Sequence, residues 1–513
     1  TVSVLYWVVA AMAMGLLLGI VWLVARLVGF AVVLAVGYPL FMRLKLRVAA
    51  LRSNPAYKKK MTEKTGTSAT DAEAPLPPPT QCVGVVFVGG DMARSPRMQY
   101  HATSMCESGR FAEVRCVGVD EGNACAEHLT SRPQAKFRLV GKTTVPGWCA
   151  RSWLLRTIYR VLAFLLGFTF ALLRATAPIA SAGRAETRVV IVMQTPPAVP
   201  FLMIAQLVTV ARRVQGVFAG LLRRPRSRVS LVVDFHNFGW TLLEVDRRPR
   251  PVVLLYWALE TFFGAADAHF TVADAMKARL TGKDRKAPAA LTLPPSSVAV
   301  IRDCAPSFFQ PLKDAQAAFA RIAATEGDAL HLPPWLGAPD PNRDATAPTL
   351  ALISATSWTA DDDYTLVVDA LKAIDERLAA HGMSNARVWL LCTGKGETRP
   401  RFERQVAAAN LSERVSVATH YFQSFVTYAT AMSLFDAGLC VHRSSSGLDL
   451  PMKCVDMFGC GLPVMALDYP ALPELVTDRT GWRFTDAASL ESVLWSLLDP
   501  SADGRAAIAR RAE

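Results

Sequence analysis

The chain has 513 residues, enough for two or three domains. Hydrophobic residues make up 51% of it and charged residues 19%, which excludes a wholly disordered chain because such chains are poor in apolar residues. The formal net charge of +13 favours a membrane or a phosphate-bearing partner. The 10 cysteines contain no CxxC pair, so neither a structural zinc site nor a disulfide-stapled secreted domain is expected.

The chain opens on an apolar segment. Residues 4–25 carry no charge, and a second apolar run covers residues 27–42 after Arg26. Since about 20 apolar residues cross a bilayer core, residues 1–42 are predicted to be a membrane anchor with one spanning helix, and the second run is left open as a further or re-entrant segment. Residues 43–80 are rich in Lys, Arg and then Pro and are predicted to be a linker. By the positive-inside rule this basic stretch places the rest of the chain in the cytosol.

Two series of strand and helix patterns follow the linker. The first predicts strands at 82–88, 114–119, 188–193, 228–234, 269–272 and 298–301, and the second predicts strands at 349–354, 387–393, 415–417 and 434–441. A buried strand, a Gly-rich turn and a helix open a doubly wound α/β domain. We therefore expect two Rossmann-like domains that face a cleft, at 81–312 and 349–513. Residues 313–348 show no clear period and are expected to be an interdomain connection with an inserted loop.

Two longer apolar stretches lie in the first domain. Residues 153–173 are interrupted by Arg156 and Arg160, and residues 199–222 by Arg212 and Arg213. Neither contains an uncharged run of spanning length, so helices that are buried or lie at the membrane interface are favoured over transmembrane spans.

Candidate ligand-binding residues concentrate between residues 439 and 464. A Ser/Gly loop at 444–447 separates an apolar strand from a helix that begins near Pro451. Backbone N–H groups of such a loop and of a helix start can hold a diphosphate, and Lys453 in the first helical turn adds a positive charge. Asp456 is a candidate acceptor for ribose hydroxyls. Asp449 and Asp456 would share a face if both were helical, and the alternative is that both only favour the helix dipole.

Five sequence blocks resemble those of the chitobiosyldiphosphodolichol β-mannosyltransferases and occur in the same order as in that family. They are Gly90–His101, Asp234–Trp240, Ser354–Asp363, Thr393–Gly396, and Ser444–Lys453 with Asp456–Val464. The resemblance implies the two-domain GT-B glycosyltransferase architecture. It also implies transfer of mannose from GDP-mannose to dolichyl-diphosphate-linked chitobiose on the cytosolic face of the endoplasmic reticulum, with a β-1,4 bond formed by inversion. Other dolichol-pathway glycosyltransferases are possible partners, and no nucleic acid is expected.

The resemblance also suggests roles for individual residues. For the donor diphosphate we expect Ser445, Ser446, Gly447 and Lys453, with Ser357 and Lys395 as second choices. Lys395 between two glycines equally fits a lysine on a solvated turn. Asp456 is assigned to the ribose or guanine, and Asp449 either to sugar hydroxyls or to bracing of the loop. GT-B enzymes generally need no bound metal, so no obligatory cofactor is expected. The run Asp361–Asp363 is interpreted as helix-start acids rather than a metal site.

An inverting transfer needs a base that removes the proton of the acceptor hydroxyl. The candidates, in order of preference, are His236 and Asp91, followed by His101 and Glu260. Imidazole has a suitable pKa near neutrality, whereas a histidine at a strand end is more often structural.

Arg94 and Arg97 are expected to hold the acceptor diphosphate, because guanidinium binds phosphate as a fork. Two other functions remain open: a membrane-bound GT-B transferase with a different nucleotide sugar or acceptor, and an anchored non-catalytic subunit that scaffolds other transferases.

Overall fold

The computed structural model describes residues 37, 39–46, 81–179, 186–221, 227–283, 291–336, 348–359, 362, 364–499 and 508. Residues 1–36 and 38 of the predicted anchor and residues 47–80 of the predicted linker therefore lie outside the described residues. The chain divides into two compact units. Unit 1 comprises Thr1–Thr271 and Lys277–Val300, and unit 2 comprises Val272–Met276 and Ile301–Glu513.

Unit 1 is built on a seven-stranded parallel sheet. Its strands, in chain order, are β1 (Cys82–Asp91), β2 (Glu113–Val119), β3 (Ala135–Val140), β4 (Thr187–Thr195), β5 (Ser227–Phe235), β6 (Ala268–Thr271) and β7 (Val298–Val300). They lie in the order β3-β2-β1-β4-β5-β6-β7. The chain reverses its direction across the sheet between β1 and β4, as in a doubly wound fold. All six predicted strands are confirmed, and the edge strand β3 was not predicted.

Helices connect these strands. They are α1 (Pro96–Glu107), α2 (Glu127–Thr130), α3 (Gly147–Ala150), α4 (Trp153–Ala175), α5 (Phe201–Leu221), α6 (Gly239–Val245), α7 (Arg250–Phe263) and α8 (Asp274–Leu280), with 3-10 turns at Met92–Arg94 and Pro295–Ser297. Helix α1 starts after Ser95. The Ser95 hydroxyl does not cap it, however, because the hydroxyl donates to the Asp91 carbonyl oxygen at 3.2 Å.

A short helix at 39–46 packs onto unit 1. Met42 is fully buried, and Arg43 Nη2 donates to the Thr261 carbonyl oxygen at 2.7 Å. Lys45 Nζ lies 2.8 Å from Asp267 Oδ1. Residues 43–46 of the predicted linker are therefore helix rather than coil. The same helix includes residues 39–42, the end of the predicted anchor, where Met42 packs on the globular unit.

Unit 2 contains a second parallel sheet, of six strands. They are β8 (Thr349–Ala355), β9 (Arg387–Thr393), β10 (Val415–His420), β11 (Ala437–Cys440), β12 (Val464–Leu467) and β13 (Gly481–Phe484), in the order β10-β9-β8-β11-β12-β13. Apolar side chains cover both faces of the sheet in two core clusters. The four predicted strands are confirmed, β11 being shorter than predicted, whereas β12 and β13 were not predicted. The predicted class, two Rossmann-like doubly wound α/β units, is confirmed.

Helices connect the strands of unit 2, and one of them lies where no regular structure was predicted. They are α9 (Ala315–Glu326), α10 (Thr365–Ala380), α11 (Arg399–Ala408), α12 (Phe425–Met432), α13 (Met452–Gly459) and α14 (Ala487–Leu498), with 3-10 turns at Gly327–Ala329, Pro334–Leu336 and Leu472–Glu474. Helix α9 lies where a connection without a clear period was expected. Asp314 caps it by accepting from the Ala317 N–H at 2.9 Å, and Ala318 and Ile322 are buried in the core of unit 2. Its alanine-rich sequence hides the helical period.

Candidate active site

The switch point of the unit 2 sheet lies between β8 and β11, where ligands of doubly wound folds bind. An ion pair joins the loop that follows β8 to helix α13, which follows β11. Lys453 Nζ lies 2.9 Å from Asp362 Oδ2 and 3.0 Å from Oδ1, and the Thr356 hydroxyl donates to Oδ2 at 2.6 Å. The Asp362 side chain is buried, so its charge requires these partners. Asp362 therefore is not a helix-start acid as predicted, since Tyr364 precedes the first residue of α10.

A pocket of about 230 Å³ opens at the carboxyl ends of β8 and β9 and after β10. Its wall is largely aromatic, formed by Tyr421, Phe422, Phe425 and Tyr428, and Lys453 also lines it. Of the predicted donor residues, Ser357 lines the same pocket. Lys395 is exposed, and its Nζ lies 3.9 Å from the centre of the Tyr421 ring. The structure thus brings three of the predicted donor residues to one place. Flat aromatic walls of this kind suit the stacking of a nucleobase.

The Ser/Gly loop is held by its own side chains. The Ser444 hydroxyl accepts from the Gly447 N–H at 2.7 Å and bonds to Asp449, whose other oxygen lies 3.3 Å from His442 Nε2. The Ser446 hydroxyl accepts from the Leu448 N–H at 3.1 Å. Asp449 therefore braces the loop, one of its two expected roles.

One position of this loop has a backbone conformation that favours glycine. Gly447 has φ of +71°, where an L side chain is strained, and the Cβ of another residue would lie 3.4 Å from Pro470. The loop carries the predicted diphosphate ligands Ser445, Ser446 and Gly447.

Helix α13 carries Lys453 and Asp456. Asp449 precedes this helix, so the two aspartates do not share a helical face. Asp456 is half-buried. Burial, with a smaller contribution from the charge of Asp303, raises the pKa of Asp456 to about 7. A carboxyl that titrates near neutrality can either donate or accept a hydrogen bond, which suits recognition of a hydroxyl. Its role towards ribose or guanine stays a prediction.

Unit 1 contains a buried polar cluster at the end of β5. Asp234 receives two hydrogen bonds from the Arg97 guanidinium, at 2.8 and 3.1 Å. Nε2 of His101 lies 2.8 Å and Nε2 of His236 lies 3.2 Å from the same oxygen, Oδ2. Burial alone would raise the pKa of Asp234, but the charge of His236 and the hydrogen bonds from His101, His236 and Arg97 hold it well below its usual range. One carboxylate thus orients two partly exposed histidines.

The two arginines expected at the acceptor diphosphate differ in placement. Arg97 is 3% exposed, and its guanidinium fork is engaged by Asp234. Arg94 is largely exposed, 3.8 Å from Asp91 and 4.0 Å from Glu121. As placed, Arg97 serves the Asp234 cluster, whereas Arg94 is accessible to a ligand.

Asp91 and Glu260, the remaining candidates for the base, both accept hydrogen bonds from backbone N–H groups. Asp91 accepts hydrogen bonds from the Ala93 N–H at 2.9 Å and from Asn123 Nδ2 at 2.6 Å. Glu260 is buried, and its Oε1 accepts from the Gly239 N–H at 3.1 Å. Burial raises the pKa of Glu260 to about 7. Its Oε2 has no hydrogen-bond partner among the described residues. Glu260 therefore holds the start of α6, which follows the segment that carries His236.

Two important residues were not singled out from the sequence. Asp362 lies in an acidic run that resembled a helix start, and Asp234 lies in a recognised block without an assigned role. A single acid at the end of a buried strand, followed by His236, was the available signal for Asp234. Within the part of the chain that the structure describes, no group of three or more His, Cys, Asp or Glu side chains is arranged to hold a metal ion.

Part of unit 2 matches a known glycosyltransferase family. Residues 347–499 match the family described as "Glycosyl transferases group 1". With two doubly wound parallel sheets, this makes the protein a glycosyltransferase of the GT-B class.

The chain is 32% identical to "Chitobiosyldiphosphodolichol beta-mannosyltransferase" of Eremothecium gossypii, covering 80% of this chain and 77% of the relative. It is 30% identical to the protein of the same name from Mus musculus, covering 82% of each. A third relative, "UDP-glycosyltransferase TURAN" of Arabidopsis thaliana, is 29% identical over 80% of this chain and 87% of its own length. The chain belongs to the chitobiosyldiphosphodolichol beta-mannosyltransferase family.

Proposed function

We propose that this protein transfers mannose from GDP-mannose to chitobiosyldiphosphodolichol and forms a β-1,4 linkage with inversion at the anomeric carbon. Membership of the family supports the sugar and the acceptor. The observation that carries the donor assignment is the pocket at the switch point of unit 2, which is lined by Lys453, Ser357 and four aromatic side chains.

The donor site would work as follows. The nucleobase stacks on the aromatic wall, with Tyr421 and Phe425 as its main contacts. Lys453 stabilises the diphosphate as it leaves. The Gly447 and Leu448 N–H groups of the loop join it only by releasing the Ser444 and Ser446 hydroxyls to which they donate. Asp362 holds the ammonium of Lys453 at the pocket, so the charge is in place before the donor binds.

The base would come from the Asp234 cluster. If Nε2–H of a histidine donates to Asp234, its Nδ1 has a lone pair and can accept the proton of the acceptor hydroxyl. The carboxylate then stabilises the imidazolium that forms. His236 is our first choice and His101 the second, because both contact Asp234 Oδ2. Asp91 ranks below them, since both of its oxygens already accept hydrogen bonds.

We further propose that the enzyme needs no bound catalytic metal and that its globular units are cytosolic, on the endoplasmic reticulum membrane. Positively charged groups at the diphosphate perform the task that a metal ion would otherwise perform. Retention of transfer activity in the presence of excess EDTA is the expected result, and loss of activity that Mg²⁺ restores would contradict it.

A UDP-sugar is the second candidate donor, because one relative is named a UDP-glycosyltransferase. The experiment measures transfer to a lipid-linked chitobiose acceptor from GDP-mannose, UDP-glucose and UDP-N-acetylglucosamine at equal concentrations. We expect transfer from GDP-mannose, inhibition by GDP and little inhibition by UDP. Transfer from a UDP-sugar, with none from GDP-mannose, would contradict the assignment of GDP-mannose as the donor. Donor binding without any transfer would favour the scaffolding function.

A further inference from the structure

Helix α7 directs two hydrogen-bonding side chains into unit 1. Its inward side includes Val253, Tyr256, Glu260 and Phe263, whose spacing of three and four residues places them on one face of a helix. Tyr256 is half-buried, and Glu260 is 3% exposed. A hydroxyl and a carboxyl therefore lie one helical turn apart between two apolar residues.

Tyr256 holds the segment that follows β4. Its hydroxyl oxygen accepts from the Ala198 N–H at 2.8 Å and from the Val199 N–H at 3.4 Å. At the beginning of the same segment, the Thr195 carbonyl oxygen accepts from the backbone N–H of His236 at 3.0 Å. This segment is thus bonded to α7 at one end and to the backbone of His236 at the other.

Glu260 holds the segment that contains His236. Its Oε1 accepts from the Gly239 N–H at 3.1 Å, and the Trp240 N–H also donates to this carboxyl. Gly239 lies so close to Tyr256 that a Cβ at this position would be 2.5 Å from the tyrosine hydroxyl oxygen. Because glycine has no side chain, the segment can approach α7 closely enough to reach the carboxyl.

Together these contacts form a closed ring. Its successive parts are the chain from His236 to Gly239, the carboxyl of Glu260, helix α7, the hydroxyl of Tyr256 and the chain back to Thr195. The backbone position of His236 is therefore set by two side chains of α7 that lie outside the cluster that orients its imidazole.

Glu260 stands at a position that helical packing alone would fill with an apolar side chain. Its Oε2 is buried and has no hydrogen-bond partner among the described residues, and a buried polar atom without a partner costs about 1–3 kcal/mol. Burial also raises the pKa of this carboxyl to about 7. What the carboxyl gains in return are the bonds from the Gly239 and Trp240 N–H groups, which points to a role in holding this segment.

We propose that Glu260 and Tyr256 are positioning residues of the transfer reaction, which fix the backbone around His236 so that its imidazole meets the acceptor hydroxyl. The inference rests on the proposed function, in which His236 is the base. A base must lie within hydrogen-bond distance of the proton that it removes, and a misplacement of about 1 Å can lower a rate about 10²-fold. Neither positioning residue has to touch the substrate for this effect.

The first test separates positioning from proton transfer at Glu260. The full chain is assayed in phosphatidylcholine vesicles with GDP-mannose and phytanyl-diphosphate chitobiose. Glu260→Leu removes the acceptor of both N–H groups and is expected to lower kcat about 10²-fold, with the KM for GDP-mannose unchanged because the proposed donor site belongs to unit 2. Glu260→Gln keeps a carbonyl oxygen for these groups and is expected to recover most of the lost kcat. A glutamine variant as impaired as the leucine variant would make Glu260 itself the base and overturn the proposal.

Tyr256→Phe tests the other half of the ring. Loss of the hydroxyl leaves two backbone N–H groups after β4 without their acceptor, and the effect reaches His236 only through the bond from β4 to its N–H. We therefore expect kcat to fall, but less than in Glu260→Leu. The matched control Val253→Ala removes apolar volume from the same side of α7 and no hydrogen bond, so it should lower the unfolding temperature but not kcat. Equal kcat values in the phenylalanine variant and this control would overturn the role of Tyr256.

The decisive measurement combines Glu260→Leu with His236→Ala. If Glu260 acts only through His236, the double variant has the same kcat as His236→Ala, because a base that is absent cannot be misplaced. A further fall by the full factor of the single Glu260 change would overturn the proposal. Near-normal kcat in His236→Ala would refute the base assignment and the positioning role with it. Loss of activity in His236→Ala beside normal kcat in Glu260→Leu would overturn the positioning role alone.

Discussion

Lys453 Nζ lies 2.9 Å and 3.0 Å from the two carboxylate oxygens of Asp362, so one ion pair links helix α13 to the loop after β8, across the unit 2 switch point. The carboxylate is almost completely buried, whereas the lysine keeps 23% of its side chain exposed towards the pocket. The pair therefore presents positive charge to a ligand while the negative charge is shielded. This arrangement is the basis of the donor site proposed here.

The pair can be tested by separating stability from binding. Lys453→Met leaves the Asp362 carboxylate buried without its cation and is expected to destabilise the protein by about 3 kcal/mol. The double variant Lys453→Met/Asp362→Asn removes the unpaired charge and is expected to regain most of this stability without regaining donor affinity. Thermal unfolding and the KM for GDP-mannose measure the two effects. The exposed Lys372→Met is the control, and normal donor affinity in the double variant would refute the role of Lys453.

The Asp234 cluster predicts different effects for two histidines. His236→Ala is expected to lower kcat by about 10²- to 10⁴-fold, the usual range for a general base, with the KM for GDP-mannose unchanged. His101→Ala is expected to lower kcat by less than about tenfold on the same scale. The reverse order would transfer the base role to His101, and near-normal kcat in both variants would exclude the cluster from proton transfer.

Glu260 predicts a dependence of stability on pH. Its pKa is raised to about 7 by burial, whereas an unfolded Glu titrates near pH 4.3. Between these values the folded state binds more protons than the unfolded state, so the free energy of unfolding falls as pH rises, by about 4 kcal/mol in total. The amide of Glu260→Gln does not ionise, so this fall in the free energy of unfolding is absent from the variant. Unfolding measured at pH 5 and pH 8 should therefore show the variant gaining stability relative to wild type at the higher pH, and a constant difference would contradict the account.

Asp456 predicts a pH dependence of donor binding. Since its pKa is raised to about 7, the ionised form that accepts hydrogen bonds from ribose becomes dominant only above that pH. The affinity for GDP should therefore increase as pH rises from 6 to 8 in the wild type and stay flat in Asp456→Asn. Calorimetric titration measures it, and the same pH dependence in both proteins would remove Asp456 from the ribose site.

The aromatic wall predicts a loss of base stacking. Tyr421→Ala is expected to weaken GDP binding by about 1–3 kcal/mol, the range for one stacked base. Val426→Ala, an exposed change on α12 outside the set of residues that line the pocket, is the control. Equal affinities in the two variants would place the base elsewhere.

The elements that the sequence predicts correctly are those whose pattern lies within a few consecutive residues. Continuous apolar runs such as Val83–Val88 and Val388–Cys392 predicted buried strands, and the doubly wound class followed from them. Sequence prediction failed at β13 (Gly481–Phe484), which is only four residues long and carries a charged residue. Residues in the Asp234 cluster and the Lys453–Asp362 pair are separated by 137 and 91 positions, and no periodic pattern encodes which distant charges meet. The motif blocks identified the region of the site, whereas the pairing within it required the fold.

The most direct test of the central claim is the product of a single transfer reaction. Labelled mannose is supplied as GDP-mannose to a phytanyl-diphosphate chitobiose acceptor, and the released oligosaccharide is digested separately with α- and β-mannosidase. The account predicts a trisaccharide that only β-mannosidase shortens, formed by wild type and lost in Lys453→Met. An α-linked product, or no product from protein that is folded and binds GDP, would contradict it.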